Sequence, residues 1–199
     1  MRKNLPNILS LSRILAIPFV VGALFLDEPL GNWLALAMFV LAGVTDFLDG
    51  HLARAWKQQS ALGRFLDPIA DKLLVAALIL MLVGIGRVSG LALLPAIVIL
   101  MREILVSGLR EFLAEIKIGV PVTRLAKWKT TIQLVALGFL IAGPAGPYFG
   151  PISTTDIGVV GLWAAAVLTI VTGYDYLRAG LRHLAEADAA RNEGPVAES

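Results

Sequence analysis

The sequence predicts an all-α, polytopic membrane protein with six transmembrane helices, and three observations lead to this fold class. Hydrophobic residues make up 57% of the 199 residues and charged residues only 16%, and the mean hydropathy is +0.79. Ordinary soluble domains are much more polar. Apolar segments recur at about the 20-residue length that a helix needs to cross a bilayer. Basic residues are concentrated in alternate connections between these segments.

Each predicted helix is an apolar segment closed by charged, glycine or proline residues. The first follows Met1-Arg2-Lys3 and is interpreted as an uncleaved helix, because no signal-peptidase site follows it. The chain becomes polar after the sixth segment, which predicts a membrane domain over residues 1–185 and a mobile polar tail over 186–199. The six segments cover about residues 8–26, 32–56, 63–86, 91–116, 126–142 and 156–179.

The basic residues predict the orientation of the chain. The connections that follow the even-numbered segments are rich in Lys and Arg, as are both ends, whereas the other connections contain only Arg87. By the positive-inside rule both termini lie in the cytoplasm. A net charge of +2 implies no nucleic-acid partner. The absence of cysteine excludes disulfides, thiolate metal ligands and a cysteine nucleophile.

Four aspartates lie towards the end of the second apolar segment and near the start of the third. Asp46 and Asp49 are spaced to share one face of a helix, and so are Asp67 and Asp71. A central Asp costs about 2.5–3.5 kcal/mol on membrane insertion, so these residues indicate a function. If the two helices face each other, the carboxylates must take up protons or bind cations. All-oxygen ligands favour Mg²⁺ or Mn²⁺, and two such ions suit displacement at phosphorus. The alternative is a set of helix caps and salt bridges.

Small residues and an arginine accompany the acids. Gly50 and Ala53 leave a bare strip of helix that a phosphate or a flat ring can approach, although small residues also serve helix packing in membranes. Arg54 follows with a guanidinium suited to phosphate oxygens. Together with the aspartates, these residues predict a site for a metal-bound nucleotide diphosphate that opens towards the cytoplasm.

The complete pattern, Asp46-x2-Asp49-Gly50-x2-Ala53-Arg54-x8-Gly63-x3-Asp67-x3-Asp71, resembles the signature of the CDP-alcohol phosphotransferase family. The resemblance implies transfer of a phosphatidyl group from CDP-diacylglycerol to an alcohol, with release of CMP. It implies that two divalent ions, Mg²⁺ or Mn²⁺, bind the four aspartates and that Asp71 is also the general base, with Asp67 left open as an alternative. It assigns contacts with the CDP moiety to Gly50, Ala53 and Arg54.

The remaining basic residues predict an anionic acceptor. Arg102 and Arg110 lie within the fourth apolar segment, and Lys127 and Lys129 begin the fifth on the side predicted to be cytoplasmic. Intramembrane arginines beside an acidic site suggest that the acceptor carries a phosphate. Two alternatives stay open, namely topology marking by the loop residues and an ion pair between Arg110 and Glu103.

A closer resemblance concerns three further segments, Met101–Glu111, Lys127-x-Lys129-Thr130-x2-Gln133 and Pro6-Asn7-Ile-Leu-Ser10-Leu-Ser-Arg13, which are similar to bacterial phosphatidylglycerophosphate synthases. This implies sn-glycerol 3-phosphate as the acceptor, with its phosphate on Arg110 and Lys127 or Lys129, and Asn7 near the cytidine. It also implies that the protein is a homodimer, that it is located in the bacterial inner membrane and that it contacts the membrane lipids. Inositol phosphate and phosphatidylglycerol stay open as acceptors. A divalent-cation transporter is the alternative from another class of protein. A fixed positive charge at Arg54 beside the aspartates argues against it, because a path for cations does not require one.

Overall fold

The protein is described by a computed structural model that gives the backbone of residues 5–56, 61–116 and 124–192 and the side chains of residues 11–45, 66, 68–116 and 125–182. The described backbone forms six α-helices, and an isolated bridge between Phe149 and Ile152 is its one β feature. The predicted all-α class is therefore confirmed. The helices are α1 (Leu5–Ala23), α2 (Leu30–Trp56), α3 (Ala61–Gly84), α4 (Leu93–Glu115), α5 (Arg124–Ala142) and α6 (Thr154–Asn192).

The helices follow the predicted segments to within about three residues, except that α6 extends further at its C-terminal end. Helix α6 continues to Asn192, past residue 185, where the polar tail was predicted to begin. Its later part is rich in alanine, a strong helix former, so polarity alone did not end the helix. Residues 193–199 lie outside the described residues, and a mobile tail there stays a prediction.

Several helices have the length and apolarity of transmembrane segments. In the described part of the chain, Gly90–Glu115, Leu125–Ala145 and Thr154–Arg182 are each long enough to span a bilayer, and Leu11–Ala23 and Leu30–Thr45 are shorter apolar segments. Large apolar side chains point outwards, including Phe19 and Ile104, which are 66% and 73% exposed. Such a surface suits contact with lipid rather than water. The chain thus has the character of a membrane protein, and six spans stay a prediction.

All six helices contribute to one hydrophobic core. Helix α5 packs along α6, α6 also packs against α4, and α1 contacts both α2 and α3. Small residues allow close approach of the helices. A Cβ atom on Gly161 would lie 2.9 Å from Cβ of Ala136 on α5. The buried core residues include Val20, Phe39, Leu78, Ile99, Leu137, Leu140, Leu162 and Ala165.

Arg87 connects three parts of the fold at one end of the helices. It follows α3, and its Nη1 donates hydrogen bonds to the carbonyl oxygens of Leu140 and Ile141, 3.2 and 2.6 Å away, at the end of α5. Its Nη2 donates to Glu28 Oε1 at 2.7 Å and to Asn32 Oδ1 at 2.6 Å. Because the last carbonyls of a helix lack partners within the helix, Arg87 acts as a cap on α5 and ties it to α2.

Candidate active site

A cavity of about 370 Å³ lies between α3, α4, α5 and α6. Charged groups from three of these helices meet on its wall, within a chain that is otherwise strongly apolar. An adjoining space of about 230 Å³ shares part of this wall and extends along α4 towards Ser107 and Ala114. The cavity lining includes Asp71, Lys72, Arg102, Glu103, Arg110, Lys129, Gln133 and Tyr176.

Asp71 stands on α3 at this cavity, and an arginine from α1 holds it. Arg13 Nη1 donates to Asp71 Oδ1 at 2.8 Å. The Arg13 side chain is 4% exposed and that of Asp71 is 58% exposed. The buried arginine therefore orients a carboxylate that stays accessible. No role for Arg13 follows from the sequence pattern alone. The signal that could have revealed one is the presence of an arginine within the first apolar segment.

Glu103 on α4 contacts two neighbouring cations in the cavity wall. Lys129 Nζ on α5 donates a hydrogen bond to Glu103 Oε1, and Arg102 Nη1 lies 3.8 Å from the same oxygen. Lys129 is almost fully buried. A buried charged pair is favourable only when its geometry is good. The contact between Glu103 and Lys129 therefore favours one alignment of α4 relative to α5. The Glu103 carboxylate thus binds Arg102 and Lys129.

Tyr176 on α6 lies beside two guanidinium groups of α4. The Arg102 and Arg110 Cζ atoms are 5.9 and 6.0 Å from its ring centre. Both distances are within the range of a cation–π interaction. Arg102 Nη2 also donates to Thr172 Oγ1 on α6 at 3.1 Å, and its side chain crosses α6 at Gly173, where a Cβ atom would lie 3.1 Å from Arg102 Cγ. Helix α6 therefore positions both arginines, a contribution that the sequence did not reveal.

The structure brings only some of the predicted site residues together on described side chains. Asp71, Arg110 and Lys129 line one cavity. Lys127 is exposed and is absent from the described cavity lining, because it lies two residues from Lys129 and so on another face of α5.

The other predicted residues lie outside the described side chains, and only their helices are known. Asp46, Asp49, Gly50, Ala53 and Arg54 belong to one continuous helix, α2, which confirms the helical spacing on which their interpretation depends. In the same way Asp67 lies on α3 and Asn7 on α1.

The predicted metal site consists of carboxylates from α2 and α3. Among the described side chains, no group of three or more His, Cys, Asp or Glu residues could hold a metal ion. Three of the four predicted ligands lie outside these side chains, and Asp71 is the fourth. The predicted donor atoms are carboxylate oxygens on two continuous helices. This donor set fits a hard divalent cation.

Comparison with known proteins decides the family. A family model described as CDP-alcohol phosphatidyltransferase matches residues 3–171, a range that covers all of α1 to α5 and the first part of α6. The chain belongs to the CDP-alcohol phosphatidyltransferase family. The matched range includes the four aspartates and all the charged residues of the cavity lining named above. The protein is therefore an enzyme of this family.

Several bacterial members of the family are similar over almost their whole length. A protein of Rickettsia felis is 48% identical over 177 residues, which cover 89% of this chain and 95% of the relative. Proteins of Pectobacterium atrosepticum and Cereibacter sphaeroides are 43% and 39% identical and cover 94% and 92% of this chain and 100% and 98% of the relatives. All three are named CDP-diacylglycerol–glycerol-3-phosphate 3-phosphatidyltransferase.

Proposed function

We propose that this enzyme transfers the phosphatidyl group of CDP-diacylglycerol to sn-glycerol 3-phosphate and releases phosphatidylglycerophosphate and CMP. The observation that carries the proposal is the shared cavity of Asp71, Arg110 and Lys129. It supplies a proton acceptor and two cations for a phosphorylated alcohol in one space. The names of the similar bacterial proteins support the same donor and acceptor.

Asp71 is the proposed general base. The 1-hydroxyl oxygen of glycerol 3-phosphate attacks the phosphorus that bears the diacylglycerol, and its proton passes to the Asp71 carboxylate. The bond between this phosphorus and the bridging oxygen breaks, and CMP leaves with the bonding electrons. A base must lie within hydrogen-bond reach of the proton that it removes, and the position of an exposed carboxylate at the cavity wall supports this assignment.

The remaining residues bind and orient the substrates. Arg110 and Lys129 hold the phosphate of the acceptor, since charge-assisted hydrogen bonds to phosphate are stronger than neutral ones. Gly50, Ala53 and Arg54 contact the CDP moiety, with Asn7 nearby. Lys127, although exposed, attracts the anionic acceptor rather than holding it.

Asp46, Asp49, Asp67 and Asp71 are the proposed ligands of two divalent ions, Mg²⁺ or Mn²⁺. When bound, such ions neutralise the diphosphate and stabilise the departing CMP. We further propose that all six helices span the bacterial inner membrane with both termini in the cytoplasm, and that the enzyme is a homodimer. The site then opens towards the compartment that contains nucleotides.

An acceptor panel tests this function. Purified enzyme, CDP-diacylglycerol and Mg²⁺ or Mn²⁺ are mixed with glycerol 3-phosphate, inositol phosphate, serine or phosphatidylglycerol, and CMP release is measured. We expect release with glycerol 3-phosphate only. Asp71→Asn should abolish CMP release without unfolding the protein. Asp27→Asn, which changes an exposed aspartate outside the helices, should leave CMP release unchanged. Release with inositol phosphate alone would overturn the acceptor, and an active Asp71→Asn enzyme would overturn the base.

A further inference from the structure

Gln133 on α5 carries a buried acceptor atom that has no partner among the residues that the structure describes. The residue is only 2% exposed and forms part of the cavity wall. Its Oε1 atom receives no hydrogen bond from the described part of the chain. Buried polar side-chain atoms nearly always have a partner, and an exception calls for a physical reason. At the wall of a cavity, that reason is a ligand that brings the missing donor.

The position of Gln133 relates it to the cationic part of the cavity. Gln133 follows Lys129 by four residues, so the two side chains share a face of α5 and are about 6 Å apart along the helix axis. Both are nearly fully buried and both line the cavity. A phosphate held at Lys129 and Arg110 therefore leaves the carbon chain of a short acceptor within reach of Gln133.

The chemistry of the amide oxygen selects the ligand group. Oε1 only accepts hydrogen bonds, and an ionised phosphate oxygen has no proton to donate. The group that completes Gln133 is therefore a hydroxyl of the ligand and not its phosphate. The hydroxyl that undergoes reaction must approach Asp71, so a second hydroxyl is available for this contact.

We propose that Gln133 determines specificity by accepting a hydrogen bond from the unreactive hydroxyl of the acceptor. This inference rests on the proposed function, under which the group is the 2-hydroxyl of sn-glycerol 3-phosphate. A site built to bind a substrate hydroxyl strongly rejects an analogue that lacks it, because a buried polar group then stays unpaired. Gln133 thereby favours a polyol phosphate over a simple hydroxyalkyl phosphate.

The test removes the hydroxyl from the substrate and the amide from the enzyme. Wild-type enzyme and Gln133→Met are assayed with glycerol 3-phosphate and with 3-hydroxypropyl phosphate, which lacks the 2-hydroxyl. We expect Gln133→Met to lower kcat/KM for glycerol 3-phosphate by roughly 10- to 100-fold and to leave kcat/KM for the analogue within about twofold. Thr131→Val is the matched control, because this exposed hydroxyl donates a hydrogen bond to the Lys127 carbonyl oxygen of its own helix.

A ribose hydroxyl of the donor is the other possible source of the hydrogen bond. Both enzymes are therefore also assayed with 2′-deoxy-CDP-diacylglycerol. If the effect of Gln133→Met disappears with this donor but persists with 3-hydroxypropyl phosphate, the assignment to the acceptor is wrong. An equal loss with both acceptors assigns Gln133 a structural role and also overturns the proposal.

Failure of the proposed function gives a different result. Wild-type enzyme would then release CMP with another acceptor and none with glycerol 3-phosphate, and the comparison would be repeated with that acceptor and its deoxy analogue. A loss confined to the hydroxylated form supports the role of Gln133, and an equal loss overturns it. Even if Gln133→Met fails to fold, equal kcat/KM values of the wild-type enzyme for the hydroxylated and deoxy acceptors would contradict the proposal.

Discussion

Arg13 on α1 and Asp71 on α3 form an ion pair between residues 58 positions apart, with Arg13 Nη1 2.8 Å from Asp71 Oδ1. The arginine is buried while the carboxylate is open to the cavity. A rigid, buried donor restricts the orientation of the exposed group that it binds. The pair therefore links α1, at the N-terminal end of the chain, to the proposed chemistry on α3.

Replacement of Arg13 should impair turnover more than binding. Arg13→Ala removes a donor that orients the Asp71 carboxylate, and misplacement of a reacting group by about 1 Å can cost about 100-fold in rate. We expect kcat to fall by roughly that factor with little change in KM for glycerol 3-phosphate. Arg13→Lys should recover part of the loss, because it keeps the charge but not the fork of donors. Arg178→Ala, at an exposed arginine on α6, is the control, and a folded Arg13→Ala enzyme with normal kcat would contradict the role.

The pair of Glu103 and Lys129 should show a strong energetic coupling. Removing one partner leaves an uncompensated buried charge, at a cost of about 3–5 kcal/mol. We expect Glu103→Gln and Lys129→Gln each to lower Tm in detergent micelles, and the double variant to be more stable than the sum of these losses predicts. Lys127→Gln, at an exposed lysine on the same helix, should leave Tm unchanged. Strictly additive losses of Tm would mean that the two residues do not stabilise each other.

Tyr176 should affect affinity for the acceptor through Arg102 and Arg110. A cation–π interaction contributes about 0.5–2 kcal/mol. Tyr176→Leu removes the ring and should raise KM for glycerol 3-phosphate about three- to tenfold, with a smaller change in kcat. Tyr176→Phe retains the ring and should resemble the wild-type enzyme. Steady-state kinetics distinguish the two, and equal KM values for Tyr176→Leu and wild type would show that the ring does not position the arginines.

Arg87 should stabilise the opposite end of the helices without serving the reaction. Arg87→Met removes the donors to Leu140 and Ile141, and loss of a hydrogen bond from a charged group costs about 1.5–3 kcal/mol. We expect Tm to fall by several degrees while KM for both substrates stays normal in the remaining folded enzyme. A change in KM at unaltered Tm would place Arg87 in the function instead.

Glu28 should give part of this stability a dependence on pH. The neighbouring Asn32 amide and then the Arg87 guanidinium lower the pKa of the Glu28 carboxyl below its ordinary value. A carboxyl whose pKa is lower in the folded state contributes stability that is fully present above its unfolded pKa. This contribution is lost as the pH falls through the lowered value. Glu28→Gln should therefore lower Tm at neutral pH and reduce the decrease in Tm on acidification, as thermal melts at a series of pH values will show.

Much of the fold and part of the site could be predicted because they depend on local patterns. Apolar length gave the helices with boundaries close to those of the structure, as at Ala142. The 3.6-residue period alone predicts the relative positions on one helix of Asp46, Asp49, Gly50, Ala53 and Arg54. Arg110 and Lys129 attracted notice as charges inside apolar segments, which is a property that composition reveals.

The partners of these charges could not be predicted, because they come from other helices. A basic residue predicts an acidic or anionic neighbour, but which neighbour it meets depends on how whole helices pack. Glu103 was considered as a partner of Arg110, and it pairs with Lys129 and Arg102 instead. Arg13 and Tyr176 had no assigned role, since nothing near them in the chain indicates Asp71 or the arginines of α4.

The sequence by itself thus determined the helices, the family pattern and the sign of the charge around the site, since each depends on composition or short-range spacing. The tertiary structure decided which charges share a cavity, which arginine orients Asp71 and which amide lacks a partner. These features depend on distances between segments far apart in the chain, and packing of α1, α5 and α6 around α3 and α4 sets those distances.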